Sequence, residues 1–222
     1  MKVLITGGAG FIGSRLALKL VSRGHEVTTL DTLSPQVHGE NPEESELFKA
    51  IEQTTRFIRG SVTDRAVMED ALKGQDVVVH FAAETGTGQS MYQIERYSEV
   101  NIGGTSLMLD ILANSEHSVK RVVVASSRSI YGEGRYRTPE GGYVYPEHRA
   151  EADMAAGDFE VKHPGVDGAL ELVATDEESK IHPSSVYGIT KQVQEQLVMT
   201  VCPSIGVEGV AFRYQNVFGP GQ

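Results

Sequence analysis

A tyrosine and a lysine stand four residues apart in the segment Tyr187-Gly188-Ile189-Thr190-Lys191. On a helix this spacing places both side chains on one face. A phenol with an ordinary pKa of about 10 is a poor base at neutral pH, and a nearby ammonium group favours its phenolate form. The pair therefore predicts a base for a sugar or alcohol hydroxyl. The same spacing is also common on exposed helices, so the pair alone does not establish catalysis.

A glycine-rich loop follows the first apolar run of the chain, Lys2–Thr6. The loop sequence TGGAGFIG, residues 6–13, fits both GxGxxG and GxxGxxG through Gly7, Gly8, Gly10 and Gly13. Glycines let the backbone turn tightly and approach a pyrophosphate at a helix N-terminus. Asp31 ends the second predicted strand, where a carboxylate accepts both ribose hydroxyls and repels a 2′-phosphate. The pattern predicts NAD rather than NADP, against the alternative of a glycine-rich turn and a surface aspartate.

A pair of serines, Ser126 and Ser127, ends the apolar run Arg121–Ser127. The carboxyl ends of parallel strands are where open α/β sheets bind ligands. A hydroxyl at this position could bind the reacting oxygen of a substrate. The alternative is an ordinary polar turn at the end of a strand.

The elements that position these residues alternate along the chain. Strands are predicted at Lys2–Thr6, Glu26–Leu30, Arg56–Arg59, Asp76–Ala83, Arg121–Ser127 and Val210–Tyr214. Helices are predicted from Ile12 to Val21 and at Arg65–Lys73, Glu95–Ser115 and Val186–Met199, with a loop over Thr32–Glu46. The alternation predicts an α/β fold with a doubly wound, Rossmann-like parallel sheet. Residues 133–183 are rich in Gly, Pro and Tyr and predict a loop-rich insertion with a short helix at Ala150–Ala156.

Composition excludes several classes of function. The 222 residues carry 20 Lys and Arg against 30 Asp and Glu, a net charge of −10, which argues against a nucleic-acid or anionic-membrane surface. The single cysteine, Cys202, excludes an internal disulfide and a CxxC zinc site. No apolar run reaches the roughly 18 residues of a membrane span, and Met1 leads directly into a predicted strand. We therefore expect a cytoplasmic protein without a cleaved leader.

These motifs together resemble the extended short-chain dehydrogenase/reductase family, in its nucleotide-sugar epimerase/dehydratase branch. The matching segments occur in the family's order from Met1 to Gln222, apart from the insertion. They are TGGAGFIG (6–13), HFAA (80–83), Asn101 with Gly104-Thr105, SSRSIYG (126–132), YGITK (187–191) and FRYQNVFGPGQ (212–222). The resemblance implies NAD as the cofactor and a nucleotide sugar as the substrate.

The resemblance also implies a cofactor-binding role for residues along the whole chain. They are Gly7, Gly10, Phe11, Ile12, Gly13, Asp31, Ser61, Val62, Phe81, Ala82, Ala83, Asn101, Tyr187, Lys191 and Tyr214. Asp31 would hold the adenosine ribose, and Ser61 and Val62 would flank the adenine. The family usually has aspartate where Ser61 stands, which weakens one contact to the adenine amino group. Asn101 would support the site, and Tyr214 would lie near the nicotinamide.

Catalytic roles follow from the same resemblance. Ser127 would bind the substrate, Tyr187 would be the base, and Lys191 would bind the nicotinamide ribose and lower the tyrosine pKa. Asn216 would contact the phosphates of the sugar nucleotide.

Two differences from the family narrow the implied reaction. The 4,6-dehydratases carry Asp-Glu directly after the Ser/Thr, whereas Arg128 and Ser129 stand here. NADPH-dependent reductases favour a basic residue where Asp31 stands. The resemblance therefore implies epimerisation at C4 of a UDP- or dTDP-hexose, in which hydride passes to NAD and returns to the other face of a 4-keto sugar. The alternatives are an NAD-dependent nucleotide-sugar dehydrogenase, decarboxylase or reductase, and a non-catalytic dinucleotide-binding protein.

The insertion at residues 133–183 is similar to one found in some bacterial 4-epimerases, including dTDP-rhamnose 4-epimerase-like proteins. Cysteine pairs of those relatives are replaced by Thr138-Pro139 and His163-Pro164, so no metal site is expected. The insertion is interpreted either as a lid over the substrate or as a surface decoration.

The resemblance further implies a homodimer. It also implies that residues 1–222 form the NAD-binding domain and that most of the C-terminal substrate-binding domain is missing.

Overall fold

The computed structural model describes residues 1–220, so the last two residues of the FRYQNVFGPGQ motif lie outside it. The strands are β1 (Lys2–Thr6), β2 (Glu26–Asp31), β3 (Arg56–Arg59), β4 (Val77–His80), β5 (Arg121–Ser127), β6 (Tyr136–Arg137), β7 (Tyr143–Val144), β8 (Glu171–Leu172) and β9 (Glu208–Tyr214). The helices are α1 (Phe11–Val21), α2 (Pro35–His38), α3 (Glu46–Lys49), α4 (Arg65–Leu72), α5 (Thr87–Ser90), α6 (Ile94–Tyr97), α7 (Gly104–Asn114), α8 (Glu151–Ala155) and α9 (Val186–Ser204). Short 3-10 turns cover Pro42–Glu44 and Arg128–Tyr131, and a π-helical segment covers Ser98–Gly103.

Six strands form one sheet in the order β3-β2-β1-β4-β5-β9, and every neighbouring pair is parallel. Strand order reverses between β1 and β4, which leaves a crevice at the carboxyl ends of these two strands. The sequence prediction of a doubly wound, Rossmann-like α/β sheet is therefore confirmed.

The core lies on both faces of this sheet. Leu4 of β1 packs with a cluster on one face that includes residues of α4, α7 and α9, such as Met68 and Met108. Its neighbours Val3 and Ile5 face the opposite cluster, which includes residues of α1 and α3. Successive strand residues point to opposite faces, so a strand buried on both sides reads as a continuous apolar run.

Several boundaries differ from those predicted. The helix predicted at Glu95–Ser115 is instead α6, the π-helical segment and α7 in succession. The helix predicted to end at Met199 continues to Ser204, because its buried face includes Cys202. The loop predicted at Thr32–Glu46 contains α2 and a 3-10 turn, too short to show a helical period.

The insertion is more ordered than the predicted set of loops. Strand β6 lies between β7 and β8 in an antiparallel sheet, in which Tyr136 is opposite both Val144 and Leu172. Each of these strands has two residues, too few to show an alternating pattern in the sequence. Most of residues 133–183 lie outside helices and strands, as predicted for a loop-rich insertion, and α8 agrees with the short helix expected at Ala150–Ala156.

No helix within residues 1–220 is long and apolar enough to cross a membrane.

Candidate functional site

A cavity of about 510 Å³ opens at the carboxyl ends of β1, β2, β4 and β5, beside the first turn of α9. Most predicted site residues line it: Gly7, Gly10, Phe11, Ile12, Gly13, Asp31, Ser61, Val62, Phe81, Ala82, Ala83, Ser127, Tyr187, Lys191 and Tyr214. Asn101 and Asn216 are not among its lining residues. The fold therefore brings the glycine loop and the tyrosine–lysine pair into one cavity of ordinary ligand-binding size.

The glycine loop fits closely against its neighbours. Gly7 has a φ of +68°, and a Cβ there would lie 2.7 Å from the backbone nitrogen of Ala82. A Cβ at Gly13 would overlap the carbonyl oxygen of Gly7. Helix α1 then begins at Phe11 after Gly10, with no side-chain cap from any described residue. The first amides of α1 are thus available to an anion, as a pyrophosphate site requires.

Asp31 is fixed at the edge of the cavity by two backbone amides. Its Oδ2 accepts a hydrogen bond from the amide of Ala9 at 3.0 Å, and its Oδ1 accepts one from Leu33 at 2.9 Å. Nε2 of His38 lies 4.0 Å from Oδ1. Burial lowers the pKa of His38, and the charge of Asp31 opposes this shift. The predicted acidic group is therefore in position to face a ribose.

Ser61 and Val62 line the same cavity. The Ser61 hydroxyl lies 2.8 Å from the Thr63 hydroxyl and accepts from the Thr63 amide at 3.1 Å. Its bonds therefore close a turn, and Val62 is buried beside it.

Ser127 and Tyr187 meet where β5 and α9 approach each other. Ser127 accepts from the amide of Ser129 at 3.1 Å, which fixes its hydroxyl at the start of the 3-10 turn. A Cβ at Gly188 would lie 2.6 Å from the carbonyl oxygen of Ser129, so glycine allows this turn to pack against α9. Burial raises the pKa of Tyr187, and the nearby Ser127 hydroxyl opposes this shift.

Lys191 is almost completely buried, with 3% of its surface exposed. Its ammonium group donates to the carbonyl of Ala125 at 3.0 Å and lies 5.9 Å from the centroid of the Tyr187 ring. Burial lowers the lysine pKa to about 7. Lys191 is not among the groups that shift the pKa of Tyr187 in this structure, and its effect on that pKa stays a prediction. Burial raises the tyrosine pKa and also disfavours the charged lysine that would stabilise a phenolate.

The aromatic part of the cavity joins β4 to β9. The rings of Phe81 and Tyr214 are 6.1 Å apart and nearly perpendicular. Ala82 and Ala83 continue the wall beside Phe81. Burial raises the pKa of Tyr214, so its phenol stays neutral at physiological pH.

Asn101 braces the site from behind. It is fully buried in the π-helical segment, where Oδ1 accepts from the amide of Glu84 at 2.7 Å. Its Nδ2 donates to the carbonyl of Glu84 at 3.1 Å and to the hydroxyl of Thr190 at 2.9 Å. These contacts are those expected of a residue that supports the site. Asn101 does not line the cavity, and its contact with the cofactor stays a prediction.

His80, from the HFAA motif, is also buried behind the cavity. Its Nε2 lies 3.0 Å from the Thr105 hydroxyl, which itself donates to the carbonyl of Asn101. Nε2 is therefore the donor, and Nδ1 accepts from the Thr6 hydroxyl at 2.8 Å. Burial lowers the pKa of His80 to about 3, with a further effect from Lys191. A neutral histidine thus links Thr6 of β1 to Thr105 of α7, behind the cavity.

Three further residues lie at the site, and of these only Ser126 was singled out in the sequence. Ser126 lines the cavity, is 2% exposed, and its hydroxyl has no hydrogen-bond partner within residues 1–220. Its place at the end of an apolar strand was a usable signal. His38, at the end of α2, and Glu84, in the loop that follows β4, also line the cavity, and the sequence carries no comparable pattern at either position.

NAD fits these residues. The uncapped start of α1 suits a pyrophosphate, and Asp31 suits a ribose. The Ser126 hydroxyl lacks a partner in the described chain, and the bond to Ala125 occupies only one of the N–H donors of Lys191. Within the same residues, no group of three or more His, Cys, Asp or Glu side chains is placed to hold a metal ion.

The chain is similar to a known protein family and to solved structures. The NAD dependent epimerase/dehydratase family model matches residues 3–150 and 165–222. The dTDP-L-rhamnose 4-epimerase of Burkholderia thailandensis is 32% identical over all of this chain, which spans 59% of that protein. Two solved UDP-glucose 4-epimerases are each 26% identical. That of Brucella ovis in complex with NAD has a TM-score of 0.67, with 97% of this chain and 52% of that one covered. That of Thermotoga maritima with UDP-glucose has a TM-score of 0.72, with 100% and 58% covered.

The chain thus spans between half and three fifths of the length of these relatives. The family match covers the glycine loop, Asp31 and the Tyr187–Lys191 pair, and leaves out residues 151–164 of the insertion. The chain belongs to the NAD-dependent epimerase/dehydratase family, and its cofactor is NAD.

Proposed function

We propose that this chain carries the NAD-binding and catalytic residues of a nucleotide-sugar 4-epimerase. The observation that carries the proposal is the meeting of Ser127 and Tyr187 in the cavity, with no carboxylate directly after Ser127. Arg128 and Ser129 occupy those two positions and cannot replace an acid–base carboxylate pair in the elimination of water.

The chain's own residues move one proton at the sugar. The Tyr187 phenolate accepts the proton of the 4-hydroxyl and later returns it, while the Ser127 hydroxyl binds the same oxygen. NAD supplies the hydride acceptor and donor for the neighbouring carbon when it is bound. Oxidation and reduction at C4 then cancel, and only the configuration changes. The raised pKa of Tyr187 makes formation of the phenolate the costly step.

The substrate we propose is a UDP- or dTDP-hexose. Support comes from the Burkholderia relative, a dTDP-L-rhamnose 4-epimerase, and from the Thermotoga structure with UDP-glucose. Asn216 is exposed between Gln215 and Val217, which both line the cavity, and is our candidate for a phosphate contact.

The insertion and the oligomeric state complete the proposal. All of residues 133–183 are described, and none lines the cavity in this structure. The C-terminal end of the insertion is nevertheless held near the site, since the amide of His182 donates to the carbonyl of Ile130 at 2.7 Å. We retain it as a candidate lid, and we retain the homodimer expected from the family.

The test follows configuration directly. The protein is incubated with NAD and a panel of UDP- and dTDP-sugars, and C4 is monitored by NMR. A C4 epimer formed without net NADH supports the proposal, and NADH accumulation without an epimer contradicts it. Tyr187→Phe should lower the rate by roughly 10²–10⁴-fold while NAD stays bound. Tyr92→Phe, at a tyrosine that is 89% exposed, is the matched control and should keep wild-type activity.

A further inference from the structure

Ser90 is a fully buried serine at the end of α5, outside the residues that line the cavity. Its hydroxyl accepts from the backbone amide of Tyr187 at 3.0 Å, 97 residues later in the chain. The same hydroxyl donates to the carbonyl of Thr87 at 2.6 Å. One side chain therefore joins the loop after β4 to the backbone of the proposed base.

The bond matters because of where Tyr187 lies in α9. The first amides of a helix have no acceptor within the helix, and one cap residue satisfies only one or two of them. Ser185 accepts from the amide of Gly188 at 3.0 Å. Ser90 supplies the acceptor for Tyr187 from a different element. The turn that carries the phenol is thus held from two sides.

The other end of this connection is fixed to the cavity wall. Asn101 bonds both the amide and the carbonyl of Glu84, at 2.7 and 3.1 Å. The Tyr97 hydroxyl donates to the carbonyls of Thr85 and Gly86. Glu84 and Thr85 line the cavity. The segment leading to Ser90 is therefore anchored to the same wall that a bound cofactor would contact.

We propose that Ser90 is a positioning residue for Tyr187. Its hydroxyl holds the first turn of α9 so that the phenol lies beside Ser127. The same hydroxyl links that turn to the cavity wall, so that the position of the wall affects the position of the turn. The role in turnover rests on the proposed epimerase function, whereas the role in holding the Tyr187 backbone does not.

The direct test measures the Tyr187 amide itself. The protein is labelled with 15N-tyrosine, the Tyr187 signal is assigned through its loss in Tyr187→Phe, and amide hydrogen exchange is followed by NMR. Ser90→Ala should speed exchange of this amide by about tenfold or more, since its acceptor is removed. Ser90→Cys keeps a side chain of similar shape with a poorer acceptor and should give a smaller increase. Wild-type exchange in both variants would overturn the proposal.

Ser204→Ala is the matched control. Its hydroxyl also bonds the backbone of α9, donating to the carbonyl of Val201 at 2.7 Å, but at the opposite end of the helix. This variant should leave the Tyr187 amide unchanged, and an equal acceleration would show general loosening of α9 and contradict the specific role of Ser90.

Turnover gives a second readout. In Ser90→Ala, kcat should fall by roughly tenfold with little change in KM, because the base is misplaced while binding is kept. A wild-type kcat would remove the catalytic part of the proposal. If the wild-type protein itself forms no epimer, the proposed function fails while the exchange measurement still decides the role of Ser90.

Discussion

Replacing Lys191 by methionine should change how stability depends on pH. Lys191 is buried, and its pKa in the folded chain is about 7 against an ordinary 10.5. Between these two values the unfolded chain holds a proton that the folded chain has lost. The unfolding free energy of the wild type therefore rises with pH across this window. The contribution of Lys191 to this free energy is lowest below pH 7.

The expected magnitude follows from the pKa difference. Each pKa unit corresponds to about 1.4 kcal/mol, and the folded lysine differs from the unfolded one over about two units between roughly pH 6 and pH 9. The unfolding free energy of the wild type should therefore rise by about 3 kcal/mol more over this range than that of Lys191→Met, which has no titrating group at this position. Titrating groups that do not interact with Lys191 are common to both proteins and cancel in the difference, and His80, whose pKa Lys191 lowers, titrates below this range.

The assay is urea unfolding of both proteins at about pH 6 and pH 9, with unfolding free energies obtained by linear extrapolation. Lys19→Met, at an exposed lysine of α1, controls for the loss of one positive charge. The unfolding free energy of Lys19→Met should differ from that of the wild type by the same amount at both pH values. Parallel pH profiles for the wild type and Lys191→Met would refute the assignment of Lys191 as a desolvated lysine.

Three further substitutions test other parts of the site. Gly13→Ala forces a Cβ onto the carbonyl of Gly7 and should weaken NAD binding by at least about tenfold, measured by calorimetric titration. Asp31→Ala removes the group that disfavours a 2′-phosphate, so the ratio of NADP to NAD affinity should rise by roughly tenfold; an unchanged ratio would contradict its role. Asn101→Ala leaves the backbone of Glu84 without its partners and should lower the unfolding free energy by about 2 kcal/mol or more, measured in urea.

The sheet could be predicted because each of its signals is local. The run Lys2–Thr6 and the apolar VVVHFAA segment are typical of strands buried on both faces, and the glycines after β1 mark the turn into α1. Parallel strands separated by helices leave few topologies open. The small sheet of the insertion could not be predicted, because strands of two residues, such as Tyr136–Arg137, are specified by partners distant in sequence.

Most of the cavity wall could also be predicted, because its residues belong to motifs with fixed spacing. The contact of Ser90 with α9 could not be predicted, since nothing in the sequence near Thr87–Ser90 shows that this turn lies under the start of α9. The sequence placed Asn101 near the site, but it did not show that Asn101 is buried behind the lining residues, where it bonds Thr190. The positions of Ser90 and Asn101 both depend on contacts between segments that are distant in sequence.

The protonation of the tyrosine–lysine pair shows what spacing leaves undetermined. Four residues of helix place Tyr187 and Lys191 on one face, as expected. Whether the lysine stabilises a phenolate depends on how much water each group loses, which only the packed structure sets. Here burial raises the pKa of Tyr187 and lowers that of Lys191, so burial disfavours the charged form of each group. A proton moved from the phenol to the lysine would have to be stabilised by groups added to the cavity, and the Ser127 hydroxyl is the protein group that already acts in that direction. The protonation of the pair is therefore set by burial in the packed structure, and not by the four-residue spacing of the YGITK motif alone.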